Sequence, residues 1–378
     1  MQAPTGILEI DLDALAGNYR RLCAEARGAE VAPAVKADAY GLGLEPVVRT
    51  LAAAGAKRFF VANLGEGLAL RSFLPDAGCL ILNGPLPGEE RDYIASRLMP
   101  VLNTLEQVEL WAAAARAAGR ALPAVLHLDS GINRLGLTAA ECRRLAEDPA
   151  LLRPLAVELA MSHLACSDDP AHPGNAEQLE RFARAADALP CAAVPRSIAA
   201  SCGIFLGEPY RLQLVRPGYA LYGGNPTAGR PNPMRPVVRL QSRVLQARRV
   251  DPPAGVGYGA THRVERPARL VTLAIGYADG LFRALSNRGR LVIDGQALPI
   301  VGRISMDLTV VDASALPAER LAPGGFAEII GPGLNGVGQD IDALAESAGT
   351  IGYEVLTALG RRHRRVYKGG PGAAAAGA

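Results

Sequence analysis

The sequence has few lysines, scattered cysteines and no long apolar run, and each of these shortages excludes a class of protein. Its six cysteines include no C-x-x-C pair; they are Cys23, Cys79, Cys142, Cys166, Cys191 and Cys202. This spacing predicts reduced thiols rather than a disulfide framework or a zinc site, and we expect no metal. No apolar run reaches the ~18 residues of a membrane span. The first residues, MQAPTGILEIDLDAL, lack the apolar core of a signal peptide, so a cytoplasmic protein is expected.

The charge of the chain is nearly balanced. It has 40 basic and 37 acidic residues and a net charge of +3, and the two signs alternate without a long basic block. A nucleic-acid partner is therefore not expected. The 378 residues, of which 49% are hydrophobic, suffice for two or three folded domains of about 150 residues each, and disulfides are not needed to stabilise them.

Eight short apolar runs in the first 223 residues predict eight buried strands. They cover residues 31–37, 58–63, 79–84, 99–104, 124–130, 155–164, 194–201 and 213–223. Helix-like segments lie between them, such as residues 105–119, in which apolar residues recur at helical spacing and a glycine ends the segment. This alternation of buried strands and helices indicates an α/β fold, a (β/α)8 barrel of the TIM type, over residues 1–230.

The composition changes after residue 224. GGNPTAGRPNPMRPV is rich in Gly and Pro and has no apolar periodicity, which is typical of a linker between domains. Short β-like runs separated by turns follow it and predict a mainly β C-terminal domain over residues 231–368. DIDALAESAGTI predicts a helix with Asp340 or Asp342 near its start. Residues 369–378 are of low complexity and predict a disordered tail.

Lysine is so rare in this chain that the place of one lysine is informative. Apart from Lys36 there are only Lys57 and Lys368. Lys36 lies in VAPAVKADAYGLG, at the C-terminal end of the first predicted barrel strand, where barrel enzymes place catalytic groups. Burial lowers the pKa of an amine and makes it nucleophilic towards an aldehyde, which indicates a Schiff-base lysine with the Tyr40 hydroxyl close by. A lysine without a role at a strand end is the alternative.

A second group of residues follows predicted strands seven and eight, where barrels often bind phosphate. Ser201 offers a hydroxyl, and the segment Arg216-Pro217-Gly218-Tyr219 contains a glycine that lets a ligand approach the backbone. Two ordinary strand-to-helix turns are the alternative for either element alone. A reactive lysine and a phosphate site in one barrel together indicate pyridoxal 5′-phosphate as the cofactor.

Nine blocks of the chain resemble those of the alanine racemases, in the same order. AVKADAYGLG resembles the segment that carries the cofactor lysine in that family. The other eight blocks are HLDSGINRLG, MSHLACSDD, SIAASCG, VRPGYALYG, GVGYGATHR, IGYADG, GRISMD and IGYEVLTALGRR. The resemblance covers nearly the whole chain. It implies an enzyme that interconverts L- and D-alanine and supplies D-alanine for peptidoglycan.

The resemblance also implies roles for individual residues. Lys36 would hold the cofactor as an internal aldimine and act as the base on the D-face of the substrate, and Tyr258 from a partner subunit would be the base on the L-face. The active unit would then be a homodimer with composite active sites. The other implied cofactor contacts are Tyr40, His163, Ser201, Arg216, Gly218, Tyr219 and Tyr353. The implied substrate contacts are Arg134 and, from the partner subunit, Tyr277 and Met306.

An arginine at the pyridine nitrogen suits a racemase better than its rivals. The guanidinium of Arg216 does not give up its proton, so it disfavours a protonated ring and leaves the carbanion less time for transamination. A decarboxylase or lyase on a similar barrel typically pairs that nitrogen with a carboxylate. A non-catalytic pyridoxal-phosphate-binding barrel would need neither the second domain nor Tyr258 and Met306. A racemase of broader specificity, for example towards serine, stays an alternative.

Several of these residues have ordinary explanations when each is taken alone. Tyr258 could pack against a turn, and His163 could be a core histidine with its hydrogen bonds satisfied. Tyr353 and Met306 could equally be packing residues. The interpretation therefore depends on the whole set and on its order along the chain.

One position departs from the family pattern. Many relatives have a lysine that carries a carbamate seven positions before the arginine at Arg134, and this chain has His127 there. Imidazole cannot supply the negative charge of a carbamate. What orients Arg134 is therefore left open by the sequence, with His127, Asp129 or a bound anion as the candidates.

Overall fold

The computed structural model describes residues 5–371 of the chain. The predicted tail at residues 369–378 therefore lies outside the described residues, apart from its first three. Strand β1 (Gly6–Asp11) and helix α1 (Leu12–Ala26) begin the described chain, and the side chain of Asp11 caps the helix by accepting the Ala14 N–H. No helix within residues 5–371 is both long and apolar enough to cross a membrane.

Eight parallel strand segments follow, one for each predicted run. They are β2 (Glu30–Val31), β3 (Arg58–Val61), β4 (Gly78–Ile81), β5 (Met99–Leu102), β6 (Leu122–His127), β7 (Leu155–Met161), β8 (Arg196–Ser197) and β9 (Leu214–Val215). β3 to β8 pair in order, and β2 pairs with β9. Backbone hydrogen bonds join the two groups: the Val35 N–H donates to Phe60 at 2.9 Å, and the Arg216 N–H donates to Ala199 at 2.9 Å. The strands therefore close into the predicted barrel.

Helices connect the strands, and side-chain caps define where several of them begin. They are α2 (Lys36–Tyr40), α3 (Leu44–Ala53), α4 (Leu64–Phe73), α5 (Glu90–Ala95), α6 (Leu105–Ala118), α7 (Ala139–Glu147), α8 (Gly174–Asp187), α9 (Ser201–Ile204) and α10 (Glu208–Arg211). Asn63, Thr104 and Thr138 each accept a backbone N–H from the first turn of the helix that follows. Such caps satisfy donors that a helix leaves unpaired.

The barrel interior is a packed core of its own. Nearly every strand contributes an inward apolar side chain to it; the members are Ala32, Ala34, Phe60, Leu80, Val101, Val125, Leu159, Met161 and Leu214. A filled interior leaves room for a ligand only at the ends of the strands, which is where barrel enzymes have their active sites.

The C-terminal part is mainly β, as predicted. Its elements are β10 (Val238–Val250), β11 (Ala254–Val256), β12 (His262–Val264), β13 (Ala268–Leu273), β14 (Arg290–Ile293), β15 (Gln296–Pro299), β16 (Thr309–Asp312), β17 (Phe326–Leu334), β18 (Val337–Gln339), α11 (Ile341–Ala348), α12 (Gly352–Ala358) and β19 (Arg364–Lys368). The predicted helix start is confirmed, because Asp340 caps α11 by accepting the Ala343 N–H.

Strand β1 lies in the C-terminal sheet although it precedes the barrel in sequence. It pairs antiparallel with β10 and parallel with β19, and its Leu8 and Ile10 side chains are fully buried. The chain therefore starts in one sheet, forms the barrel and returns to the first sheet. The predicted domain boundary at residue 230 assigned β1 to the barrel domain. That boundary stays a prediction.

Candidate active site

Nine of the predicted site residues line one cavity of about 940 Å³. They come from segments that follow the barrel strands and from α12, and they are Lys36, Tyr40, Arg134, His163, Ser201, Arg216, Gly218, Tyr219 and Tyr353. Ile351, Glu354 and Thr357 complete the wall on the side of α12. The C-terminal part of the chain therefore closes the cavity that the barrel opens.

A left-handed turn carries the chain away from Lys36. Residues 37–40 have φ values from 51° to 57°, although none of them is a glycine, and this conformation costs about 1–2 kcal/mol per residue. Two carboxylates hold the turn: Glu66 Oε1 accepts the Ala37 N–H at 2.7 Å, and Asp38 Oδ1 accepts the Leu44 N–H at 2.8 Å. Sequence reasoning missed Glu66, for which the sequence carries no local motif.

The position of Lys36 makes its amine reactive. Burial lowers the pKa of Lys36, and the positive charge of Arg134 lowers it further, whereas the carboxylate of Glu66 acts in the opposite direction. The second oxygen of Glu66 accepts the Ala62 N–H at the end of β3, at 2.7 Å. Glu66 thus joins the lysine segment to the neighbouring strand and moderates the change in pKa. A lowered pKa increases the fraction of neutral, nucleophilic amine.

Ser201, Gly218 and Tyr40 form one side of the cavity. Ser201 Oγ accepts the Gly218 N–H at 3.0 Å and the Ala220 N–H at 3.1 Å, so its own proton is left to donate to a ligand. Gly218 is required by close packing, because a Cβ atom there would lie 2.2 Å from the Tyr40 hydroxyl. Tyr40 and Tyr353 donate no hydroxyl hydrogen bond to any residue between 5 and 371, so both hydroxyls are available to a ligand.

Tyr353 is held by a residue that sequence reasoning placed near a helix start but did not assign to the site. The Tyr353 ring stacks on Tyr219 with the ring centroids 4.2 Å apart. The Tyr219 hydroxyl donates to Asp342 Oδ1 at 2.5 Å, and Asp342 Oδ2 accepts the Asn225 N–H at 2.9 Å. Asp342, on α11, therefore fixes the stacked pair against the segment that follows β9.

Arg216 is buried in the wall of the cavity. Its guanidinium donates to the Ser197 hydroxyl and to the Ser162 carbonyl, and it lies 3.5 Å from His163 Nδ1. Burial lowers the pKa of Arg216 to about 10, so the side chain is still charged at neutral pH. Burial, with the charge of Arg216 next, lowers the pKa of His163 to about 3. Since arginine only donates, His163 is neutral and accepts through Nδ1.

The donors around the cavity fit the expected cofactor. Lys36, Arg134 and Arg216 supply three cationic groups, and Glu354 is the one carboxylate in the wall that the described residues form. A phosphate ester and a carboxylate are both stabilised by such a set. The amine of Lys36 suits an aldehyde, and the Ser201 and tyrosine hydroxyls suit phosphate oxygens. Pyridoxal 5′-phosphate has each of these features.

Tyr258, Tyr277 and Met306 do not line the cavity. They lie on the C-terminal part of the chain, with 71%, 44% and 54% of their surfaces exposed. Tyr277 and Met306 lie close together, because the Tyr277 N–H donates to the carbonyl of Ser305, the residue before Met306, at 3.1 Å. The loop of Tyr258 adjoins the same region, because a Cβ atom on Gly257 would lie 3.3 Å from the backbone of Arg303. The fold thus gathers these residues on an exposed face.

Comparison with known proteins identifies relatives along the whole chain. Residues 10–226 match the family model described as "Alanine racemase, N-terminal domain", and residues 237–367 match "Alanine racemase, C-terminal domain". A protein of Rhodospirillum rubrum described as "Alanine racemase" is 47% identical over 97% of this chain and 96% of its own. One of Agrobacterium fabrum described as "Alanine racemase, catabolic" is 48% identical over 96% of this chain and 92% of its own.

Solved structures give the same result. The alanine racemase of Bartonella henselae, whose structure is described as having covalently bound pyridoxal phosphate, superposes with a TM-score of 0.92 at 38% identity. The superposition covers 97% of this chain and 100% of the other. The alanine racemase of Streptomyces coelicolor superposes with a TM-score of 0.90 at 35% identity, over 96% and 98% of the two chains.

Glu66→Gln should lower the pKa of Lys36 further in the ligand-free protein, because the carboxylate that favours the charged amine is removed. The measurement is an NMR titration of protein labelled at lysine, whose three signals are assigned by losing the Lys36 signal in Lys36→Ala. Glu45→Gln removes an exposed carboxylate on α3 and should leave the Lys36 titration in place. An unchanged or higher pKa in Glu66→Gln would contradict the assigned interaction.

Asp342→Asn should reduce the free energy of unfolding by about 1–3 kcal/mol, because an NH2 group replaces one of the two oxygens that accept from Tyr219 and Asn225, and one donor loses its acceptor. Denaturant unfolding measures the difference. Asp340→Asn is the matched control two residues away, since asparagine caps a helix as well as aspartate does. Equal losses in the two variants would mean that Asp342 acts only through helix α11.

Proposed function

The chain belongs to the alanine racemase family, and from this membership we propose that it interconverts L- and D-alanine with two bases, Lys36 and the partner subunit's Tyr258. The observation that carries the proposal is the position of Lys36. It is one of only three lysines in the chain, and it shares a cavity with Ser201, Gly218 and Arg216. Bound in that cavity, pyridoxal 5′-phosphate supplies an electron sink for the α-carbon of the amino acid.

The residues that would hold the cofactor divide into three groups. The Ser201, Tyr40 and Tyr353 hydroxyls beside Gly218 would bind the phosphate, and Tyr219 keeps Tyr353 in place by stacking. The Lys36 amine would hold the aldehyde group. Arg216 would donate to the ring nitrogen, with His163 beside Arg216.

Arg216 controls how far the site stabilises negative charge. With a pKa of about 10 it keeps its proton at neutral pH, so it would donate a hydrogen bond to the ring nitrogen without protonating it. His163 is neutral and hydrogen-bonds to Arg216 through Nδ1, so it does not provide that proton either. An unprotonated ring would supply a weaker electron sink, which would favour return of the α-proton over competing reactions.

Racemisation needs two groups that act on opposite faces of the substrate. The Lys36 Nζ atom removes or returns the α-proton on one face, and the partner subunit's Tyr258 Oη does so on the other. Arg134, which lines the cavity, would bind the substrate carboxylate and the cofactor phenolate. Tyr258, Tyr277 and Met306 are exposed in the single chain, and this exposure supports a homodimer in which each chain completes the other's cavity.

We also propose that the protein is a cytoplasmic enzyme that supplies D-alanine for peptidoglycan. One of the relatives is described as catabolic. The first experiment is therefore an assay of the purified protein that measures which amino acids it racemises. Racemisation of a panel of amino acids should be fastest with alanine. Serine racemised as fast as alanine would replace the proposed specificity with a broader one.

Borohydride reduction of the purified yellow protein should fix the mass of the cofactor on the peptide that contains Lys36. The reason is that Lys36 is the only lysine that lines the cavity among residues 5–371. Peptide mass spectrometry locates the label, and the peptides with Lys57 and Lys368 serve as internal controls. A label on either of those peptides would overturn the site assignment.

Lys36→Ala and Tyr258→Ala homodimers should each be nearly inactive, whereas a mixed dimer of the two should regain activity. In the mixed dimer one cavity combines an intact Lys36 with the intact Tyr258 of the other chain. The measurement is racemase activity after subunit exchange, with exchange verified by differently tagged chains. Failure to regain activity after verified exchange would place both bases in one chain and reject the composite site.

A further inference from the structure

His127 lies at the end of strand β6 with one ring nitrogen bound and the other free. Its side chain is only 6% exposed, and its Nδ1 atom lies 2.8 Å from Asn103 Oδ1. The amide nitrogen of Asn103 is oriented the other way, where three acceptors surround it: the Leu82 carbonyl at 3.0 Å, the Val101 carbonyl at 2.9 Å and Gln107 Oε1 at 3.3 Å. The atom that Asn103 presents to His127 is therefore its oxygen.

This arrangement determines where His127 carries its proton. Asn103 Oδ1 only accepts, so Nδ1 of His127 must be the donor. Burial, with the charge of Arg216 next, lowers the pKa of His127 to about 4, so the ring is neutral at pH 7 and Nε2 presents a lone pair. That atom is buried and has no hydrogen-bond partner among residues 5–371. Buried polar atoms in folded proteins are nearly always paired, and His127 lines the active-site cavity, so a donor is expected there.

The segment that carries Arg134 passes directly over the same edge of the ring. A Cβ atom on Gly136 would lie 3.2 Å from His127 Cδ2, the carbon bonded to Nε2, and the Leu137 N–H donates to the His127 carbonyl at 2.7 Å. The Asp129 carboxylate accepts the backbone N–H groups of residues 131–133 and does not bind the side chain of Arg134 among residues 5–371. Arg134 also lines the cavity, and it makes no hydrogen bond or ion pair within residues 5–371.

We propose that His127 is a positioning residue: in the holoenzyme its neutral Nε2, which is unpaired among residues 5–371, accepts a hydrogen bond from the guanidinium of Arg134. The proposal deepens the proposed function, on which it rests, because Arg134 is the residue assigned to the substrate carboxylate. Arginine is the chemically matched partner, since it is a donor only and has five N–H groups. One of them binds His127, and the others remain for the carboxylate. The acceptor is neutral, so the positive charge of Arg134 is left to act on the substrate.

The tautomer can be tested in the holoenzyme without measuring activity. Long-range proton–nitrogen correlation spectra of protein labelled at its five histidines should show His127 with the proton on Nδ1 and His163 with the proton on Nε2. The His127 signals are those lost in His127→Asn. In Arg134→Ala the nitrogen chemical shift of His127 Nε2 should move towards the value of an imidazole nitrogen that accepts no hydrogen bond. A proton on Nε2, or an Nε2 signal that does not respond to Arg134→Ala, would overturn the proposal.

Two substitutions of His127 test the roles of its two ring nitrogens separately. His127→Asn keeps a donor for Asn103 and removes the acceptor for Arg134, whereas His127→Gln places an amide oxygen near the position of Nε2. His127→Asn should raise the KM for alanine about tenfold, as expected for a lost hydrogen bond to a charged group, with a smaller change in kcat. His127→Gln should recover much of this loss. Equal KM values in His127→Asn and the wild type would overturn the positioning role.

A bound anion is the competing explanation for the orientation of Arg134. The KM of the wild type should not change when chloride or bicarbonate is removed, and no active-site peptide should carry the extra mass of carbon dioxide. A dependence on either anion would overturn the proposal. A wild type that binds cofactor but does not racemise alanine would instead reject the proposed function, and the histidine spectra would still decide the hydrogen bond.

Discussion

A buried guanidinium at the end of the strand that closes the barrel holds the geometry and the electrostatics of the site together. Arg216 bonds to Ser162 after β7 and to Ser197 in β8, and it lies 5.9 Å from the centre of the Phe60 ring in β3. A buried charge is tolerated only when such partners surround it. Burial, together with this charge, keeps the neighbouring imidazoles of His127 and His163 neutral, so the cavity presents cations and neutral acceptors rather than more acids.

The two histidines at the cavity are neutral for the same physical reason but have opposite tautomers. His163 accepts from Arg216 through Nδ1, and His127 donates to Asn103 through Nδ1. Each ring is thereby set by a partner that can play only one hydrogen-bonding role. A site with several fixed cations gains from such neutral groups, because they orient arginine side chains without cancelling the charge that binds phosphate and carboxylate.

The C-terminal part of the chain contributes in two different ways. Through α11 and α12 it closes its own barrel, since Asp342 bonds to Tyr219 and Tyr219 stacks on Tyr353. Through the loops of Tyr258 and Met306 it presents an exposed surface that its own cavity does not use. Strand β1 connects the start of the barrel to the C-terminal sheet, because it pairs with both β10 and β19 and leads directly into α1.

The eight barrel strands, the mainly β second part and the place of Lys36 were predictable from the sequence, because apolar periodicity, glycine and a rare residue type are local features. The blocks that resemble the alanine racemases identified the family for the same reason. The pairing of β1 with the C-terminal sheet, the left-handed turn held by Glu66 and the contact between Asp342 and Tyr219 were decided only by the tertiary structure. Each of these joins residues that are distant in sequence or depends on backbone angles that alanine and aspartate rarely adopt. The tautomer of His127 belongs to this second class, since it depends on which atom of Asn103, 24 residues away, faces the ring.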